Sequence, residues 1–356
     1  MTWVGLDVHA RSTHAAAIDV MTGELKRARF GPGSDDVVDW LAQLPAPRAV
    51  YEAGPTGFAL FRAAQAKGIA IDVVAPSKTA RPAGDRVKTD RKDAELLARL
   101  GLAGQLHVVA VPDAFTESAR HLSRTREQLR QDLMRARHRV SKLLLLHGRV
   151  YPETTTWNRS HRLWLGRQCF DEPAAELAFI DLLAAVDGLV ARKTALEERL
   201  ARLAADERLW PTVARLRCFR GIDTLSALCL HLELGGDWQR FRSPHKLFGW
   251  LGLTPSLDQS GESSAQGGIT KTGSSYARRL LVEAALHYGR QPLIGATLQN
   301  RQLGQPDHVL AIAWRAQHRL HRLYRRLHDR GKPHNVATVA VARELSGFLW
   351  AAACAP

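Results

Sequence analysis

Two short apolar runs that each stop at a carboxylate constrain this chain more than any other feature. Trp3-Val4-Gly5-Leu6-Asp7-Val8 reads as a buried strand with Asp7 near its end. Ala49-Val50-Tyr51-Glu52-Ala53-Gly54 repeats the arrangement, with Glu52 ahead of a glycine turn. Asp90 and Asp93 then open a helix, where a three-residue step puts both on one face. Carboxylates at the ends of core strands repel one another unless cations offset their charge. Hard divalent cations such as Mg²⁺ prefer oxygen ligands, and paired metals suit in-line attack at a phosphodiester. The pattern points to a metal-dependent enzyme acting on nucleic acid. Spacing alone leaves open an ordinary surface set of acids, and His9 is read as serving the strand end rather than a metal.

The surrounding pattern favours a mixed sheet. Trp3–Val8, a second strand near Thr13–Asp19 and a third at Leu25–Phe30 follow one another, with Met21-Thr22-Gly23-Glu24 as the turn between the last two. A helix is expected at Asp35–Leu44 with Ser34 as its cap, then strand Ala49–Tyr51, helix Phe58–Ala66 and strand Ile69–Val74. Three strands followed by alternating helix and strand imply helices packed on a mixed sheet. The Pro/Gly-containing basic segment from Ser77 to Thr89 is a loop, and its length beside the acidic helix marks it as functional.

Charge supplies the second constraint. The 356 residues carry a formal net charge of +15, which favours polyanionic partners and binding that weakens with salt. Residues 1–112 hold 14 Lys/Arg against 12 Asp/Glu, so most of the excess lies beyond them. The four cysteines are scattered without metal-ligand spacing, which argues against a zinc site and a disulfide framework. No signal-peptide core opens the sequence and no apolar run approaches membrane-spanning length, so a cytoplasmic protein is expected.

Residues 115–147 and 174–205 read as long helices. The first carries Arg124, Arg130 and Arg137 beside an apolar seam of Leu122, Leu129, Leu133, Ala136, Val140 and Leu143. The second places Leu182, Leu189, Leu196 and Leu203 at strict sevens. Such seams pair as a coiled coil, either between subunits or as a hairpin within the chain. Further on, Phe219-Arg220-Gly221-Ile222-Asp223 forms a turn between helices, residues 255–275 are rich in Gly and Ser, and helices follow at Ser275–Tyr288, Val309–His328 and Val336–Ala353. The helix at 309–328 is loaded with arginines, among them Arg322, and reads as a nucleic-acid or partner face. A serine nucleophile in the Gly/Ser segment would need activation, and spacing does not choose among Ser256, Ser260, Ser263 and Ser264.

Gly5-Leu6-Asp7-Val8-His9, Tyr51-Glu52-Ala53-Gly54-Pro55-Thr56-Gly57 and Lys88-Thr89-Asp90-Arg91-Lys92-Asp93-Ala94 resemble the N-terminal motifs of the DEDD-type bacterial insertion-sequence transposases. The first domain of that family is similar to the RuvC Holliday-junction resolvase, an RNase H-like fold. Leu251-Gly252-Leu253-Thr254-Pro255, Gln259-Ser260-Gly261, Ile269-Thr270-Lys271-Thr272-Gly273 and Arg278-Arg279-Leu280-Leu281 look like its second domain. The matches run in family order and cover nearly the whole chain. One departure is Gly221-Ile222-Asp223 in place of Gly-Ile-Gly, which adds a negative charge where phosphate would sit.

The resemblance implies an α/β RNase H-like domain over 1–112, a helical coiled-coil and oligomerisation region over 113–208, and a mainly α C-terminal transposase domain over 209–356. It implies that Asp7, Glu52, Asp90 and Asp93 hold Mg²⁺, with Mn²⁺ as a substitute, and that Ser260 links covalently to DNA. Members are recombinases guided by a structured noncoding RNA (a bridge RNA) that pairs with donor and target DNA. They act as dimers and tetramers, here expected in the bacterial cytoplasm on the nucleoid. Basic residues expected on nucleic acid are Arg86, Lys88, Arg124, Arg130, Arg137, Lys271, Arg278, Arg279 and Arg322. Three other readings compete: a Mg²⁺-dependent junction nuclease using the carboxylates alone, an actin-like ATPase and a non-catalytic nucleic-acid-binding protein.

Overall fold

The computed structural model describes residues 1–79, 89–260 and 263–355, which fall into two compact units, Met1–Val111 and Pro112–Pro356. The first is built on a five-stranded sheet of β1 (Thr2–Val8), β2 (Thr13–Asp19), β3 (Leu25–Phe30), β4 (Pro47–Glu52) and β5 (Ala70–Val74). Their order is β3-β2-β1-β4-β5. The first three strands pair antiparallel, while β4 lies parallel to β1 and β5 parallel to β4. This mixed sheet with crossover helices is the RNase H-like arrangement that the resemblance implies.

Strand alternation sorts the side chains into two layers. Val4 and Leu6 of β1, Ala15 and Ala17 of β2, and Ala49 and Tyr51 of β4 pack against α1 (Asp35–Ala42) and α2 (Ala59–Ala66). The opposite parity, including Val50 and Val74, faces α3 (Asp90–Leu102) through Leu97. Ser34 stands at the α1 N-cap position, but its hydroxyl makes no capping bond there. The acidic first turn, Asp35 and Asp36, answers the helix dipole instead.

The second unit is mainly helical. In it α4 (Ala114–Leu146) and α6 (Pro173–Leu203) lie against each other, with α5 (Arg159–Leu165) between them in sequence. Ala119 and Leu129, in the first half of α4, cluster with Leu196 and Leu200 near the end of α6. Leu144 at the end of α4 clusters with Phe179 at the start of α6. The two helices are therefore antiparallel, and their seams close within one chain. The remaining elements are α7 (Trp210–Leu216), α8 (Thr224–Glu233), α9 (Pro244–Trp250), β6 (Pro255–Ser260), β7 (Ser263–Ile269), α10 (Ser275–Ala285), α11 (Ala296–Gln302), α12 (Asp307–Asp329) and α13 (His334–Ala353).

Two expectations change here. The Gly/Ser-rich stretch folds as an antiparallel β6–β7 hairpin, although serine and glycine give strands little intrinsic support. And α13 is, by length and composition, apolar enough to span a membrane, contrary to the expectation that no run approaches that length. Its apolarity serves the core: Ala337, Val341, Ala342, Leu345, Leu349 and Ala352 are fully buried, and it packs on α7, α9, α10 and α12.

Candidate active site

Register brings the carboxylates of the first unit onto one face. Leu6 of β1 pairs with Tyr51 of β4, so Asp7 and Glu52 are the next residues along adjacent parallel strands. Both have the parity of Val50, on the α3 side of the sheet. On the other flank Asp7 pairs with His14 of β2.

Above them begins α3. Thr89 caps it, accepting from the Lys92 backbone N–H, and Asp90 and Asp93 occupy its first turn, where the helix dipole favours negative charge. What lets the helix come so close is Gly5. A Cβ there would lie 2.0 Å from the Ala94 carbonyl oxygen and 2.5 Å from the Ala98 nitrogen. Only glycine permits backbone-on-backbone contact of this kind. Farther along, Gly101 sits against the Trp3 ring, and Glu95 accepts from Arg27 of β3 at 2.9 Å. Three contacts thus seat α3 on β1 and its neighbours.

The outcome is a tight polar cluster. His9 Nε2 lies 3.1 Å from Asp7 Oδ2 and 3.6 Å from Asp90 Oδ1, while His14 Nε2 lies 3.7 Å from Asp90 Oδ2. Ligand atoms of Asp7, His9 and Asp90 all fall within 4.8 Å of one another. Asp93 and Glu52 lie outside that cluster of three. Burial pushes the Asp7 carboxyl above its ordinary value; His9 opposes the rise, and the nearby charges of Asp90 and Asp93 add to it. A carboxylate that burial and neighbouring negative charge hold back from ionising is what a bound cation relieves. The donor set, carboxylate oxygens with imidazole at the margin, suits a divalent cation. His9, read from the sequence as serving the strand end rather than a metal, falls within the cluster of possible ligands. His14 was missed, because only strand register brings it opposite Asp7.

The residues of the second unit divide differently. The backbone of Ser260 ends β6, where it pairs with Ser263; its side chain, like Arg86 and Lys88, lies outside the described residues. At the base of this hairpin Arg278 donates through Nη1 to the carbonyls of Leu251 at 3.0 Å, Gly273 at 3.4 Å and Thr272. Lys271 is exposed and holds a left-handed backbone, φ 56°. Asp223 caps α8, its Oδ1 accepting from the Ser226 N–H at 2.7 Å, so the carboxylate already occupies the place a phosphate would take at that helix start.

Several arginines expected on nucleic acid have partners within the fold. Arg124 forms a two-point pair with Glu233 at 2.8 and 3.2 Å, and Glu233 also accepts from the Ser274 hydroxyl at 2.6 Å. Arg130 and Arg279 both bind Glu127, and Arg137 lies over the Trp157 ring. Arg322 is different: it is exposed on α12 beside Arg319 and Arg326.

Comparison with known proteins agrees with this geometry. Residues 4–148 match the DEDD-type IS110 transposase domain, and residues 213–295 match the Transposase IS116/IS110/IS902 family. A Sinorhizobium fredii protein described as a transposase, y4qE, is 42% identical over 303 residues, covering 85% of this chain and 74% of its own. The transposase for insertion sequence element IS1533 of Leptospira borgpetersenii is 31% identical over 340 residues, covering 93% and 97%. The transposase for element IS1328 of Yersinia enterocolitica is 25% identical over 289 residues, covering 81% and 84%. With an acidic cluster framed by RNase H-like strands and relatives aligned along nearly its whole length, the chain belongs to the IS116/IS110/IS902 family of transposases.

Proposed function

We propose that this transposase cleaves and rejoins DNA strands through a covalent phosphoserine at Ser260, with Asp7, Glu52, Asp90 and Asp93 as its metal-binding carboxylates. The observation that carries the reading is the convergence of Asp7 and Asp90 at the end of β1, beneath a helix seated on Gly5. A divalent cation held there, Mg²⁺ with Mn²⁺ as a substitute, would polarise the scissile phosphate and neutralise its developing charge. Ser260 Oγ attacks phosphorus; the Oγ–P bond forms as the P–O bond to the departing strand breaks. The serine proton passes to water and the departing sugar oxygen takes up another. Attack by a strand hydroxyl reverses the step, so the phosphodiester is conserved where hydrolysis would lose it.

The sequence resemblance extends the proposal to partners. An element-encoded RNA would pair with donor and target DNA and so supply site choice, and the active complex would be a tetramer. The exposed cations of the second unit would contact phosphate, which positions nucleic acid without reading its sequence.

A covalent-adduct trap tests the mechanism. The protein is co-expressed with the DNA flanking its gene, mixed with labelled donor and target DNA and Mg²⁺, and run on a denaturing gel. A protein-linked band lost in both Ser260→Ala and Asp90→Ala is expected. Strand cleavage without an adduct, unchanged by Ser260→Ala, would make the protein a nuclease working by its carboxylates alone.

A further inference from the structure

Along the α12–α13 face of the second unit run two adjoining recesses, of about 540 and 380 Å³, that share Arg319 and Arg322. One is completed by Leu323, Arg326 and Glu344; the other by Trp314, Arg315, His318 and Phe348. Arg315, Arg319, Arg322 and Arg326 recur at steps of four, three and four, which sets them in one stripe along the helix. Glu344 of α13 answers, among the described residues, only Arg319, through bonds of 2.7 and 3.3 Å. Among the described residues no ion pair reaches Arg315, Arg322 or Arg326. Their charge is uncompensated in a groove, where it asks for an anion.

The groove also carries rings. Trp314 is 40% exposed and lines the second recess. His318 makes a T-shaped contact with it, ring centroids 4.4 Å apart, and Phe348 lines the same recess. A stripe of arginines beside a partly exposed tryptophan suits a polynucleotide whose bases are free to stack. A duplex keeps its base faces within its own stack, so only an unpaired strand uses both features. The carboxylate of Glu344 repels phosphate but accepts a hydrogen bond from a ribose 2′-hydroxyl, the group by which a protein tells RNA from DNA.

We propose that this groove binds an unpaired stretch of RNA, one base on Trp314, phosphates on Arg322 and Arg326, and a ribose hydroxyl on Glu344. The assignment rests on the reading above that the protein works with an RNA. It adds a place where a single-stranded segment docks on the protein itself.

The test uses the full-length protein and a labelled 12-nucleotide RNA without secondary structure, read by fluorescence anisotropy over a salt series. The same sequence as DNA and the RNA annealed to its complement run in parallel. Trp314→Ala should weaken RNA binding about 5- to 150-fold, the range for losing one stacked base, and Trp314→Phe should restore most of it. Arg322→Ala combined with Arg326→Ala should lower the slope of log affinity against log salt by about 1.4, two single-strand phosphate contacts. Glu344→Ala, which removes the acceptor, should narrow the preference for RNA over DNA. Unchanged RNA binding in the Trp314 and arginine variants overturns the groove and leaves the RNA-dependent reading standing. No RNA binding by the wild-type protein overturns both. Equal affinity for the DNA strand, or tighter binding of the duplex, overturns the assignment to unpaired RNA.

Discussion

Gly5→Ala is the substitution that most directly questions how the acidic cluster is built. The added methyl would lie 2.0 Å from the Ala94 carbonyl oxygen, 2.5 Å from the Ala98 nitrogen and 2.9 Å from the Leu97 Cβ. All three belong to α3, and two are backbone atoms, so no flexible side chain can swing aside. Restoring the 3.4 Å of ordinary contact from 2.0 Å requires α3 to withdraw by about 1.4 Å. Overpacking of this kind costs about 1–3 kcal/mol, and the backbone clash argues for the upper end. Asp90 and Asp93 ride on the first turn of the same helix, so they withdraw with it while Asp7 and Glu52 stay on the sheet. Functional groups tolerate about 0.5 Å of displacement, and an ångström of misplacement can cost about 100-fold in rate. Gly5→Ala should therefore lower the free energy of urea unfolding by about 2–3 kcal/mol with an unchanged denaturant slope, and cut strand cleavage by about 100-fold under conditions where it is folded. Gly101→Ala is the control. It meets the Trp3 ring eleven residues from Asp90, about 16 Å along the helix, and should cost stability while leaving cleavage within a few-fold of wild type. A Gly5→Ala protein as stable and as active as the parent would refute the claim that this close approach positions the carboxylates.

Burial and the charges of Asp90 and Asp93 hold the Asp7 carboxyl above its ordinary 3.8, so the folded chain binds that proton more tightly than the unfolded chain. Stability of the metal-free protein should then fall as pH rises from 3.8 through the folded-state value and stay reduced at neutral pH; Asp7→Asn should raise the melting temperature at pH 7 and diminish the further rise caused by Mg²⁺. Arg124→Ala leaves the Glu233 carboxylate, with only 1% of its side chain exposed, without its cation. A loss of about 3 kcal/mol in unfolding free energy is expected, and a loss below about 0.5 kcal/mol would show that Ser274 and the nearby Arg120 suffice. Arg278→Ala frees the carbonyls at the base of the β6–β7 hairpin, and should abolish the covalent adduct while DNA affinity in a mobility-shift assay changes less than about threefold. A large loss of affinity instead would give Arg278 a direct phosphate contact.

The strands of the first unit were legible because alternation and apolar runs are local properties. Asp7 and Glu52 at strand ends, and Asp90 and Asp93 one turn apart, are equally local. His14 was not: it meets Asp90 only because the hairpin sets Asp7 opposite it, and register is a property of the pair of strands. Gly5 carried a readable signal, since an isolated glycine inside a strand pattern marks close approach, but nothing local says which element approaches. The β6–β7 hairpin was hidden for the opposite reason. Its Pro, Ser and Gly residues have little strand preference, and its base is held by Arg278 and by Thr272, whose hydroxyl donates to the Gly249 carbonyl at 3.0 Å.

The arginines show the same division in its sharpest form. The sequence reading set Arg124 and Arg130 on one basic helix, Arg322 on another and Arg279 beside the Gly/Ser segment, all as nucleic-acid contacts, yet what each charge does depends on an acid elsewhere in the chain. Arg124 finds Glu233 across 109 residues and Arg279 finds Glu127 across 152, so both are compensated within the second unit. Arg315, Arg322 and Arg326 find no such acid among the described residues. A net charge of +15 therefore does not spread into a uniform phosphate-binding surface. Once the internal pairs are set aside, uncompensated positive charge on α12 coincides with an exposed Trp314, and it is this coincidence, rather than the number of arginines, on which the proposed RNA groove rests.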